Sequence, residues 1–170
     1  MAINIEIKAR SSNQDAVREI LKSRNADFKG VDHQIDTYFV VPNGRLKLRE
    51  GNIENTLIYY EREDKEGPKQ SNVDIYHCEP KPELKETLTS ALGVLVVVDK
   101  KREIYFIDNI KFHVDVVEGL GNFIEIEAID ETGTMDKDIL YKQCQEYLKL
   151  FNIAEEDLVS VSYSDLLLEK

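Results

Sequence analysis

A chain of 170 residues, 42% hydrophobic and 32% charged, has the makeup of one ordinary globular domain, taken here as residues 1–170, with length enough to bury a core. Its net charge of −11 and pI near 4.8 exclude a surface that binds nucleic acid or anionic membrane as a whole, but not a locally basic cavity. No basic segment followed by an apolar run opens the chain, and the longest apolar stretch, from Gly93 to Val98, is only strand-sized. Neither a signal peptide nor a membrane span is therefore expected, and the cytoplasm is the default compartment. Cys78 and Cys144 fall in no metal-binding spacing, and the pair His77-Cys78 reads as non-ligating.

Residues 3–10 alternate as a strand, and a helix is expected from Gln14 to Ser23, capped by Ser11 or Ser12, with Ala16, Val17, Ile20 and Leu21 as its apolar stripe. Strands follow near 35–41 and 45–50, joined by a Pro42-Asn43-Gly44 turn. Another strand near 56–62 leads into a polar loop over 63–70 and a strand near 73–78. The stretch PELKETLTSAL reads as a helix stopped by Gly93, after which strands are expected near 94–99, 102–107, 111–117 and 123–129. A helix from Asp136 to Phe151 should bury Ile139, Leu140, Tyr147 and Leu148, and the tail from Glu155 should hold one or two short helices. The class is α+β: about eight strands, every connection compatible with antiparallel pairing, long enough to close into a β-barrel with flanking helices.

One pattern recurs on these strands. In NIEIK, the isoleucines share one face while Asn4, Glu6 and Lys8 share the other, because successive strand side chains point to opposite sides. Likewise Arg45, Lys47 and Arg49 align, as do Lys100 and Arg102, then Lys111, His113 and Asp115, then Glu125 and Glu127. Each strand taken alone suits a half-buried sheet with a solvated polar side. Taken together, with the charged faces turned inward, they would line one cavity with seven of the 22 basic residues, Lys8, Arg45, Lys47, Arg49, Lys100, Arg102 and Lys111, and four carboxylates among them. A purely structural core would not gather such charges, since burying them unpaired is costly. A site for a polyanion with a divalent cation would: guanidinium and ammonium groups hold phosphate oxygens, and carboxylates hold a hard dication. Other phosphate motifs, GxxxxGK[ST] and GxGxxG after a strand, are absent.

These stretches carry a resemblance. NIEIK stands where the CYTH superfamily, the triphosphate tunnel metalloenzymes, has Glu-x-Glu-x-Lys. DTYF (36–39), GRLKLRE (44–50), KKREIYF (100–106) and HVDVVEGLGNFIEIEA (113–128) match in the family's order. The sequence looks most similar to the class IV adenylate cyclase branch. The resemblance implies an eight-stranded antiparallel barrel forming a triphosphate tunnel, with one or two divalent metals, Mg²⁺ or Mn²⁺. Carried over by position, Glu6, Glu125 and Glu127 would ligate metal, with Asn4 in the place of a glutamate and Asp115 a further candidate. Lys8, Arg45, Lys47, Arg49, Lys100 and Arg102 would grip phosphate, with Lys111 and Arg62 added; Lys8, Lys100, Arg102 and Asp115 are the expected catalytic groups. Relatives carry a lysine on the strand corresponding to TLIYYER, where either Glu61 or Arg62 would face the tunnel.

The implied function is a metal-dependent enzyme on a nucleoside or other triphosphate, first as an adenylate cyclase converting ATP to cyclic AMP and pyrophosphate. The alternatives are a triphosphatase acting on inorganic, nucleoside or thiamine triphosphate, and a non-catalytic binder of nucleotide or polyphosphate. No nucleic-acid or membrane partner is expected, and a homodimer is left open.

Overall fold

Alternating strands of this kind bury their apolar faces against helices and must put the other face somewhere. In the structure, a computed structural model that describes residues 2–62 and 66–170, that other face is the inside of a closed barrel. The elements are β1 (Ala2–Arg10), α1 (Gln14–Ser23), β2 (Asp27–Phe39), β3 (Arg45–Glu50), β4 (Asn55–Arg62), β5 (Lys69–His77), α2 (Pro82–Leu92), β6 (Val94–Ile107), β7 (Ile110–Val117), β8 (Gly121–Asp130), α3 (Lys137–Leu150), a 3₁₀ turn (Glu155–Asp157) and α4 (Tyr163–Leu168). The strands pair in the order β1-β5-β4-β3-β2-β6-β7-β8, all antiparallel, and β1 closes the ring by pairing with both β5 and β8. Glu6 on β1 thereby stands level with Lys69 on one side and Glu127 on the other.

The main core lies outside the barrel wall. Ile5, Ile7, Phe112, Val114, Ile124 and Ile126 are each at most 2% exposed, covered by Val17 and Leu21 of α1 and Leu140 and Cys144 of α3. Each such side chain contributes about 1.5–3 kcal/mol by leaving water. A second cluster fills one end of the barrel, where Tyr38, Ile58, Tyr60, Val73, Val98, Val117 and Phe123 meet Tyr163 of α4.

Several local expectations are corrected. The cap of α1 is Asn13, whose side chain accepts from Ala16 N–H, in place of Ser11 or Ser12. Ala16 is exposed, and the buried stripe is completed by Gln14, whose Nε2 donates to the carbonyls of Asp115 and Phe123. Residues 94–99 and 102–107 form one long strand, β6, because the long β2 pairs along nearly all of it; β2 itself begins at Asp27. Strand β5 begins at Lys69, so the expected loop is shorter, and its residues 63–65 lie outside the described ones. On α3, Ile139 is 51% exposed, while Leu140 is buried and Tyr147 and Leu148 pack against the core as expected. The turn before β3 holds as expected: Gly44 has φ +57°, and a Cβ there would meet the Tyr59 hydroxyl at 2.7 Å. Gly93, at φ +80°, ends α2. Among the described residues no helix is long and apolar enough to cross a membrane.

Candidate active site

The inward faces enclose a cavity lined by six basic side chains, Lys8, Lys47, Arg49, Lys100, Arg102 and Lys111, and by the carboxylates Glu6, Asp36, Glu125 and Glu127. Asn4 joins them, with Ile58, Tyr60, Val73 and Ile75 from β4 and β5 on an apolar strip. Strands β4 and β7 are four places apart in the ring of eight, so this strip faces the wall that carries Lys111.

On the β2–β3–β6 wall, Asp36 is the hub. Arg49 grips it with Nε and Nη2, each at 2.9 Å, the Lys100 ammonium donates to it at 2.6 Å, and Lys47 lies 3.8 Å away. Burial alone would raise the Asp36 pKa; Arg49, Lys100 and Lys47 outweigh it and hold the carboxyl well below its usual range. Lys100 is pushed down to about 7, by burial and by the neighbouring Arg102, Arg49 and Lys47, against the pull of Asp36. Glu54, from the β3–β4 turn, reaches Arg49 at 3.2 Å and Lys111 at 2.6 Å.

On the β1–β7–β8 wall the acids crowd one another. Burial, with Glu6 and Glu125 beside it, pushes the Glu127 carboxyl up to about 7 despite Lys111. Glu125 contacts Arg102 at 3.1 Å; Lys8 and Arg102 outweigh its burial and keep it ionised. His113 presents a ring nitrogen 3.7 Å from Glu125 and 3.9 Å from Glu127, too far for hydrogen bonds. Burial and Arg102 lower its pKa to about 3, which leaves a neutral imidazole. Both His113 ring nitrogens and Asn4 Oδ1 are buried without a hydrogen-bond partner.

Donor atoms of His113, Glu125 and Glu127 lie within 4.8 Å of one another. Two carboxylates and a neutral imidazole suit a hard dication, and a cation there would give one buried His113 ring nitrogen the partner it lacks. The residues present fit a divalent metal.

Of the residues expected from the sequence, Asn4, Glu6, Lys8, Lys47, Arg49, Lys100, Arg102, Lys111, Glu125 and Glu127 line the cavity. Arg45 does not; it reaches α4, donating to Ser162 Oγ at 2.7 Å and pairing with Asp165 at 2.9 Å. Asp115 lies behind Arg102, fully buried, with both oxygens engaged: Arg102 binds them at 2.8 Å each and the Tyr163 hydroxyl donates to one at 2.8 Å. Glu61 is exposed and accepts from the Tyr59 hydroxyl, whereas the Arg62 side chain lies outside the described ones. Sequence reading assigned no role to Asp36, Glu54, His113 or Tyr163. Asp36 alternates with Tyr38 in DTYF and could have been placed inward on that ground. Tyr163 sits within a Ser162–Asp165 capping box, a helix-start signal that was available.

The CYTH domain family matches residues 2–163. A Methanocaldococcus jannaschii protein provisionally named adenylate cyclase is 29% identical, covering 96% of this chain and 98% of its own. A solved protein of Pyrococcus horikoshii OT3 superposes with a TM-score of 0.79 at 27% identity, covering 96% of this chain and 98% of the other. At 15% identity and TM-score 0.66, a Hippeastrum protein described as a provisional adenylyl cyclase with a dominant triphosphatase activity shares the fold over 99% of this chain and 94% of its own. With nearly its whole length matched, a closed barrel, and the charged faces turned inward, the chain belongs to the CYTH family.

Proposed function

We propose that the protein is a divalent-metal-dependent enzyme that takes a triphosphate into the barrel, and that ATP, converted to cyclic AMP and pyrophosphate, is its substrate. The observation that carries this reading is the pairing of six cations with an acid-rich, histidine-containing wall in one cavity. Lys8, Lys47, Arg49, Lys100, Arg102 and Lys111 would hold the phosphate oxygens. Glu125, Glu127 and His113, with Glu6 and the Asn4 oxygen alongside, would hold Mg²⁺ or Mn²⁺. When bound, the metal supplies Lewis-acid polarisation of phosphate oxygens and neutralises their charge.

In the cyclase reaction the ribose 3′-oxygen attacks the α-phosphorus, the bond to the α–β bridging oxygen breaks, and pyrophosphate and one proton are released. This asks the protein for alignment and charge, which Arg49 and Arg102 would supply, their guanidiniums held in place by Asp36 and Asp115. The apolar strip favours a substrate with an organic part: Ile75 is 47% exposed beside Ile58, and a bare polyphosphate would have no use for it. The name of the Methanocaldococcus relative points the same way.

The test is a product assay with ATP and with tripolyphosphate, each with Mg²⁺ and with Mn²⁺. Cyclic AMP with pyrophosphate is expected from ATP. Orthophosphate moves the assignment to a triphosphatase, binding without turnover makes the protein a binder, and failure to bind either compound overturns the reading.

A further inference from the structure

The tail of the chain reaches into the cavity from one end. Val159 N–H donates to the Lys8 carbonyl at 3.0 Å, and Leu158 bridges Ala9, which adds a short piece of strand beside β1. The Ser160 carbonyl then accepts from Lys69 Nζ at 2.7 Å, and the Val161 carbonyl from Lys8 Nζ at 3.2 Å. Ser162 caps α4, and the first residue of that helix, Tyr163, enters the barrel 5% exposed.

Tyr163 meets two of the basic side chains with its ring and a third through Asp115. Its ring face holds the Lys8 ammonium 4.2 Å from the centroid, with that of Lys100 at 6.0 Å. Its hydroxyl donates to the Asp115 oxygen that Arg102 also binds. Phe123 packs its edge against the ring at 4.9 Å and 63°, which fixes the ring plane. Any large apolar residue would close this end of the barrel, so bulk alone does not explain a tyrosine whose two polar features are both used.

The ring has a particular merit for a site that receives a polyanion. Lys8, Lys100 and Arg102 repel one another, and a lysine is a flexible side chain whose ordering costs entropy. A second carboxylate on Lys8, added to the Glu125 it already keeps ionised, would cancel more of the charge that a phosphate needs. The negative face of an aromatic ring holds an ammonium by a weaker, quadrupolar attraction and leaves its charge in place.

We propose that Tyr163 is a positioning residue of the phosphate grip, its ring ordering the Lys8 ammonium and its hydroxyl bracing Arg102 through Asp115. Helix α4 is then a working wall of the site, and the inference rests on the triphosphate reading above. The test replaces Tyr163 by phenylalanine and by the 4-fluoro, 3,5-difluoro and 3,4,5-trifluoro phenylalanines, which keep the ring's shape while draining its negative face. Tripolyphosphate binding is measured by calorimetry with Mn²⁺ present. Tyr163→Phe should weaken binding about threefold through Arg102, and the trifluoro ring about tenfold further, with a graded fall between. A structural role shifts melting temperatures but produces no such gradient. Fluorinated variants all within twofold of Tyr163→Phe overturn the ring's role, and Tyr163→Phe equal to wild type overturns that of the hydroxyl. Wild type failing to bind tripolyphosphate overturns both this inference and the triphosphate reading, whereas wild-type binding with a flat series overturns this inference alone.

Discussion

On the β2–β3–β6 wall one carboxylate, Asp36, serves three cations, whereas on the β1–β7–β8 wall Glu6, Glu125 and Glu127 crowd a neutral histidine. Both walls arise from the same period-two alternation, so the contrast lies in the sign of what is left over. The first wall is short of negative charge and the second of positive charge. Burial first, and then like-charged neighbours, push Lys100 down to about 7 on one wall and Glu127 up to about 7 on the other. A metal-bound polyanion would relieve both at once.

The largest effect should come from the acid-rich wall. Glu125→Gln with Glu127→Gln removes two charged oxygens of the donor triangle, and Mn²⁺ affinity should fall about 100-fold or more. The outer core is untouched and Arg102 keeps Asp115, so the melting temperature should stay close to wild type. Calorimetric titration with Mn²⁺ measures this, and affinity retained within about tenfold would mean that the acids do not hold a cation.

On the base-rich wall, Arg49→Ala should weaken tripolyphosphate binding by about 10- to 150-fold, the range for a lost charged hydrogen bond. Arg49→Lys keeps the charge but cannot reproduce the two-pronged grip on Asp36, so an intermediate loss is expected. A change below twofold in Arg49→Ala would mean that Arg49 does not bind the polyphosphate.

How far the sequence displayed this contrast depends on whether a feature is local. Alternation along single strands put Glu6 and Lys8, Lys100 and Arg102, and Glu125 and Glu127 on shared faces, and the closed barrel bears out that pairing. Which wall is short of which charge depends on neighbours from other strands and turns that no spacing reports. Asp36 meets Lys100 across a distance of 64 residues, and Glu54 meets Lys111 across 57. Arg45 alternates with Lys47 yet is diverted to Asp165, because α4 supplies a carboxylate from far along the chain. Strand boundaries failed for a similar reason: pairing with a long β2 carries β6 straight through Lys100-Lys101, where a break is expected from the sequence alone.

The pH dependence sharpens the contrast from the cationic side. Lys100 faces Asp36, Arg102, Arg49, Lys47 and the Tyr163 ring, and is pushed down to about 7. A bound polyphosphate would draw that pKa back up, so binding near pH 7 takes up part of a proton. The sign follows: affinity is greatest below pH 7 and declines as pH rises through the free-protein value, at most about tenfold per unit. Calorimetry in two buffers of different ionisation enthalpy should show an uptake that is missing in Lys100→Met. Equal uptake in both proteins would assign the proton to the phosphate itself.

The smallest effect tests the position where NIEIK departs from the family signature. Asn4 is 9% exposed; its amide nitrogen sits 3.5 Å from Glu127 Oε2, and its oxygen is buried without a partner. Asn4→Asp changes almost no volume but puts a fourth carboxylate beside Glu6, Glu125 and Glu127. Without metal, the added charge repels Glu127 and should lower the melting temperature, since a buried acid beside acids is unfavourable. With Mn²⁺, the same charge should tighten metal binding by about two- to fivefold, and the gain in melting temperature on adding Mn²⁺ should exceed that of wild type. The two shifts have opposite signs, which separates them from a general loss of packing, where both conditions fall together. An aspartate that changes neither would mean that residue 4 is turned away from the acid-rich wall. Asn4 would then moderate nothing there, and the crowding of that wall would belong to Glu6, Glu125 and Glu127 alone.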